Sequence, residues 1–142
     1  MIDPTPRWRY RSKNLSRALL QLQDGVVQSN IRTLSDLEAA GLVQTFEYTW
    51  ELARNLLRDL LRAGKVELKP DVPAIVIREA FKAGLIEDGE GWMAALKTRN
   101  DLSHVYSISL ADDAVTDIRF KFTPLLVSLQ ARVEQLPDDY PA

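Results

Sequence analysis

The residues best equipped for chemistry sit in the run Arg99-Asn100-Asp101-Leu102-Ser103-His104-Val105-Tyr106, which holds the sole histidine of a 142-residue chain. Imidazole exchanges a proton near neutral pH. Guanidinium keeps its charge and meets phosphate oxygens in a planar fork. A base or acid, a fixed cation and a nearby phenol suit phosphodiester chemistry. On a continuous helix five residues rotate by about 140°, so Arg99 and His104 would not share a face, whereas Asn100 and His104, four apart, would lie in one row. The β-branched and serine-rich run Val105-Tyr106-Ser107-Ile108-Ser109 predicts that this helix ends near His104, where a frayed end swings His104 and Tyr106 toward Arg99. The same residues also fit a plain structural role: a histidine capping a helix C-terminus and an arginine on a solvated face. Spacing by itself leaves both open.

The elements that must position these residues read as helices. Trp8, Leu15, Leu19, Leu22 and Val26 form one apolar stripe, predicting a helix over 8–29. Arg7, Arg9, Arg11, Lys13 and Arg17 cluster on it with no acid among them and read as a solvated face in preference to a phosphate contact. Ser35 with Glu38 three residues later is a capping-box pattern. The helix it opens runs to about Ala63 with Gly64 as its stop, and Gly41 is a candidate division point. Its stripe is Leu42, Phe46, Trp50, Ala53, Leu57 and Leu60, with Tyr48, Leu52 and Leu56 on another side. Such a helix belongs at a bundle centre or an interface. Glu51 and Arg54 are spaced to pair. Arg54, Arg58 and Arg62 recur every four residues and could line a phosphate path, with Arg54 and Arg58 as the candidate phosphate contacts, although surface decoration is the preferred reading.

Pro70 and Pro73 punctuate a linker, and Pro73 opens a short helix that Gly84 closes. Glu87-Asp88-Gly89-Glu90-Gly91 is an acidic turn without EF-hand spacing. Trp92, Ala95 and Leu96 carry the next helix into the core, and it delivers Arg99, Asn100 and His104. Leu110-Ala111-Asp112-Asp113 opens the last helix, whose stripe is Val115, Ile118, Phe122, Leu125, Leu129, Val133 and Leu136. Pro124 inside that stripe predicts a kink or break near Lys121. Five helical segments without strand alternation predict an all-α fold: an antiparallel, up-and-down four-helix bundle with an additional short helix, residues 1–142 forming one domain with loose tails at 1–6 and 137–142.

Composition narrows the function classes. The absence of cysteine excludes disulfides, thiolate metal sites and cysteine nucleophiles, and fits a reducing cytoplasm. One histidine argues against a histidine metal site within a single chain, so no metal and no cofactor are expected. No apolar run reaches the ~18 residues of a membrane span, and Met1–Pro6 lacks the apolar segment of a signal peptide. The formal net charge of −2 argues against a protein that coats nucleic acid, but not against a local basic groove. There is no Gly-rich phosphate loop and no nucleotidyltransferase Gly-Ser motif with paired aspartates.

Arg99-x4-His104-x-Tyr106 resembles the Arg-x4-His-x-Tyr signature of HEPN-domain proteins that pair with minimal nucleotidyltransferases. Phe46-Glu47-Tyr48-Thr49-Trp50-Glu51-Leu52-Ala53 resembles the second-helix motif of the nucleotidyltransferase substrate-binding proteins, and Ile77–Ile86 followed by Asp88-Gly89-Glu90 and Trp92 is similar to the same family. The likeness spans roughly Arg7 to Leu129. It implies the helical bundle, and a HEPN-type toxin of a toxin–antitoxin pair acting as a metal-independent endoribonuclease. Arg99, His104 and Asn100 would be the catalytic residues of a composite cleft in a homodimer. It further implies a minimal nucleotidyltransferase antitoxin as partner, RNA as substrate, and Tyr106 as a site of AMPylation or, equally, an aromatic plug of the helix end. The family's older name implies the other reading, a non-catalytic substrate-binding or docking subunit of a two-component nucleotidyltransferase.

Overall fold

The bundle is built around its second helix. The computed structural model describes residues 4–104 and 108–141, with residues 103, 104 and 108–111 described by backbone alone. Helix α2 (Asp36–Ala63) starts at a reciprocal cap. The Glu38 N–H donates to the Ser35 hydroxyl at 3.2 Å and the Ser35 N–H donates to the Glu38 carboxylate at 2.9 Å, satisfying two of the helix's unpartnered donors. Leu42, Phe46, Trp50, Ala53, Leu57 and Leu60 are all buried, and Leu56 and Leu61 with them. Two buried sides suit a helix that touches α1 (Arg7–Ile31), α3 (Pro73–Lys82), α5 (Ile108–Asp117) and α6 (Thr123–Glu134). Gly41 does not divide α2. It lies inside the helix with open space around it, and one glycine costs only about 1 kcal/mol against the burial of Leu42, Val43 and Phe46 that flank it.

Around this axis α1 packs on α6, α3 on α4 (Gly89–His104), and α4 on α5. The architecture is the antiparallel four-helix bundle with α3 as the extra short helix, and no strand occurs among the described residues. The helix carrying Pro124 is not broken. From Ile108 to Glu134 the chain stays helical, and it widens into a π-helical turn at Ile118–Phe122 just before the proline. The Thr123 N–H bonds the Ile118 carbonyl, five residues back. That wider register relieves the ring's clash with the preceding turn. Phe122 remains stacked on Phe46, with centroids 5.5 Å apart and planes at 24°.

Helices α2 and α3 end in the same way. At α2 the Val66 N–H donates to the Leu61 carbonyl and the Lys65 N–H to that of Arg62, each at 2.9 Å. At α3 the Leu85 N–H reaches Ala80 at 3.0 Å and the Gly84 N–H reaches Phe81 at 3.1 Å. Both are Schellman turns, which need one left-handed residue. In α3 it is Gly84, with φ +74°; in α2 it is Lys65, with φ +59°, and not the preceding Gly64.

Three members of the basic cluster on α1, Arg7, Arg9 and Arg11, have structural partners. Arg9 donates to Asp138 at 2.7 Å and also reaches the Leu136 carbonyl, while Arg11 pairs with Asp59 on α2 and Arg7 stands 3.7 Å from the same carboxylate. Tyr140 meets Trp8 edge-on at 6.5 Å. The C-terminal segment 137–141, read from sequence as loose, is thus tied to the start of α1.

Candidate active site

Helix α4 carries the motif, and its direction is set at its first turn. The Asp88 carboxylate accepts from the Gly91 N–H at 2.8 Å, and the Asp88 carbonyl accepts from the Trp92 N–H at 3.1 Å. The acidic turn is therefore a helix cap. A side chain at position 91 would begin 2.5 Å from the Asp88 carboxylate and 3.1 Å from Leu125, so glycine is what lets cap and helix close together. Trp92, Ala95, Leu96 and Leu102 are buried. Arg99 falls in that same stripe, three residues after Leu96 and three before Leu102, and so faces α2.

There it meets the middle of the central helix. An Arg99 Nη lies 3.4 Å from Glu51 Oε2, and the guanidinium carbon lies 5.9 Å from the centroid of the buried Trp50 ring. The other Glu51 oxygen accepts from Arg54 Nε at 3.1 Å and is also met by an Arg54 Nη. One carboxylate thus stands between two guanidiniums, one from its own helix and one from α4. The Arg99 side chain keeps 33% exposure. Further along α2, Arg58 lies 3.7 Å from Asp71 and Arg62 donates to the same carboxylate at 2.8 Å. The row Arg54, Arg58 and Arg62 is accordingly matched by Glu51 and Asp71.

Asn100 is exposed on α4. His104 is the last residue of α4, as the sequence predicts, and it follows Asn100 by four positions in the same helical row. Tyr106 lies outside the described residues. The structure therefore brings Arg99, Arg54 and Glu51 together, and sets Arg58 one turn beyond Arg54 on the same helix. Glu51 is the residue that sequence reasoning did not assign to this site. The signal was present: an arginine in register with Trp92, Leu96 and Leu102 must be partly buried, and a partly buried guanidinium calls for an acid on the helix it faces.

Among the described residues no three histidine, aspartate or glutamate side chains converge as metal ligands. No helix is long and apolar enough to cross a membrane.

An all-helical bundle whose fourth helix carries Arg99 and ends at His104, with Arg99 set against an acid and an arginine of the central helix, defines a recognisable class. Residues 10–135 match the model of the family described as "Nucleotidyltransferase substrate binding protein like", and the chain belongs to that family. It is 31% identical over 104 residues to the "Probable ribonuclease HepT" of Haemophilus influenzae, covering 65% of this chain and 70% of that protein. A protein of known crystal structure from Thermus thermophilus superposes with a TM-score of 0.73 at 24% identity, covering 85% of this chain and 99% of the other. That likeness establishes the fold.

Proposed function

We propose that this chain is a metal-independent endoribonuclease of the HEPN type, the toxin partner of a minimal nucleotidyltransferase. The observation that carries the reading is Arg99, met by Glu51 and Trp50 with its side chain one-third exposed, on the helix that ends at His104. The 31% identical Haemophilus protein named a probable ribonuclease adds to it. In the proposed reaction the RNA 2′-hydroxyl loses its proton to a base and attacks the adjacent phosphorus. The 5′-oxygen leaves with a proton from an acid, giving a 2′,3′-cyclic phosphate and a 5′-hydroxyl. Arg99 stabilises the phosphorane, the kind of preorganised charge that often contributes most. Asn100 orients the His104 ring or donates to the phosphate. Arg58, one turn beyond Arg54 on α2, extends positive potential for the flanking RNA.

One chain has one imidazole, and two roles need two. A homodimer with the motif near its two-fold axis supplies the second, because a two-fold interface brings a patch against its own copy. Tyr106 would be the modification site. An AMP group there places bulk and negative charge two residues from His104 and repels RNA.

A second reading is favoured by the family description and by a groove of about 880 Å³ between α3 and α4, walled by Ile75, Phe81 and Met93. It makes the chain a docking or substrate-binding subunit for a separate nucleotidyltransferase. Expression with and without the cognate nucleotidyltransferase, with His104→Ala as control and mass spectrometry at Tyr106, separates the two. Growth arrest that needs His104 and is relieved by the partner, with an adenylyl adduct on Tyr106, is the result expected of a toxin. Growth unaffected by the wild-type chain alone contradicts it.

A further inference from the structure

We infer that Glu51 and Arg54 form a positioning relay that fixes the Arg99 guanidinium, an assignment that rests on the ribonuclease reading for its catalytic consequence but not for its geometry. The two oxygens of Glu51 do different work. Oε1 is gripped from the same helix by Arg54, through Nε at 3.1 Å and through a terminal nitrogen. Oε2 is left to reach across to α4, where it meets Arg99 at 3.4 Å. Glu51 is itself a flexible side chain. With one oxygen held by Arg54 and its backbone fixed between the buried Trp50 and Ala53, its second oxygen has a defined place. Arg99 is then located on two sides, by that oxygen and by the Trp50 ring 5.9 Å from its carbon.

The charge arithmetic supports the same role. Two neighbouring guanidiniums repel, and a single carboxylate between them lets both sit close without cancelling the site: two positive charges against one negative leave a net positive charge for phosphate. The burial pattern agrees. Arg54 is 17% exposed, less than Glu51 or Arg99 at 33% each, so Arg54 is the inner support and Arg99 the outer, substrate-facing cation. On this account Arg54 acts through Glu51, not by touching RNA. Neither residue is catalytic; both set where a catalytic group stands.

The test is a double-mutant cycle on the full chain with two readouts. A misplacement of about 1 Å can cost roughly 10²-fold in rate, so Glu51→Ala is expected to lower kcat by about 10- to 10²-fold with KM within about twofold. Glu51→Gln, which keeps the shape and one acceptor oxygen, falls between. In an Arg99→Ala background Glu51→Ala has no further effect, and Arg54→Ala added to Glu51→Ala likewise adds nothing. The second readout does not depend on catalysis. The Arg99 Nη–H signal in a low-temperature proton–nitrogen NMR spectrum, identified by its loss in Arg99→Lys, is resolved in the wild type, where Glu51 Oε2 holds that end of the guanidinium, and moves to the exchanging arginine envelope in Glu51→Ala. A folded Glu51→Ala protein with this signal unchanged overturns the inference. So does an additive cycle. An Arg54→Ala variant that raises KM and lessens salt dependence, leaving kcat alone, would make Arg54 a phosphate contact and remove it from the relay. If the wild type cuts no RNA but the signal still answers to Glu51, the ribonuclease reading fails and the positioning relay stands.

Discussion

The two Schellman turns invite a paired substitution, because the same hydrogen bonds are closed by glycine in one and by lysine in the other. Lys65 holds φ +59° and Gly84 holds φ +74°. An L-residue in the left-handed region pays about 1–2 kcal/mol. Glycine's greater freedom in the unfolded chain gives back about 0.4–1 kcal/mol of any gain. Lys65→Gly should therefore stabilise the fold by roughly 0.5–1 kcal/mol. No ion pair of Lys65 occurs among the described residues to offset this. Gly84→Ala should destabilise by a similar amount, roughly 0.5–1 kcal/mol, since nothing lies within 4 Å of the added carbon and only the backbone objects. With a urea slope of about 2 kcal/mol/M, the midpoints should move by roughly 0.3–0.5 M in opposite directions. The assay is urea unfolding followed by far-UV circular dichroism, at one protein concentration because self-association shifts apparent stability. A lower midpoint for Lys65→Gly, or shifts of the same sign in both variants, would refute the reasoning.

Phe46→Ala removes a fully buried ring stacked on Phe122 and should cost about 3–5 kcal/mol; with Phe122→Ala, a double-mutant cycle in urea should show a coupling of about 0.5–1.5 kcal/mol, and independent, additive losses would count against the stacking. The Arg32 guanidinium, donating to both Glu38 oxygens at 2.7 and 2.5 Å, and then the Ser35 N–H hold the Glu38 carboxyl down at about 2, below its ordinary 4.5. A depressed carboxyl stabilises the fold fully above its unfolded value and loses that contribution as pH falls through the folded one. The advantage of wild type over Glu38→Gln should accordingly hold at neutral pH and fade between about 4.5 and 2. A gap in urea midpoint that stays constant across that window, or a carboxyl carbon titrating near 4.5 in the folded protein, would contradict the assignment.

Much of this architecture was legible in the residues. The stripes on α1, α2 and α5–α6 mark the buried faces because a 3.6-residue repeat of large apolar side chains puts them on one side of a helix, where packing removes them from water, and the Ser35–Glu38 pair fixes the start of α2 to the residue. What escaped was decided by partners distant in sequence. Arg7, Arg9 and Arg11 look like a solvated face until Asp59, Asp138 and the Val133 and Leu136 carbonyls are brought beside them. Pro124 signals trouble in a helix, but not whether the chain kinks, breaks or, as here, widens into a π-helical turn. Gly64 is a natural stop, yet the turn places its left-handed residue one position later, at Lys65. At the site, Arg99, Asn100 and His104 stand out by type and spacing. Glu51 does not, because an acid next to an arginine on a helix surface is ordinary. Only the fold, which brings the long Arg99 side chain across from α4, makes Glu51 its neighbour.

The central claim is that Arg99 and His104 cut RNA, and cleavage by the purified chain tests it most directly. A labelled oligoribonucleotide is incubated in the presence of a chelator with wild type and with His104→Ala, beside the same oligonucleotide carrying 2′-deoxy sugars. The account predicts 2′,3′-cyclic phosphate ends from the wild type, a loss of about 10²-fold or more in His104→Ala, as expected for removing a general acid or base, and no cut at deoxy positions. Cleavage by His104→Ala at the wild-type rate, or no cleavage by the wild type, would contradict it.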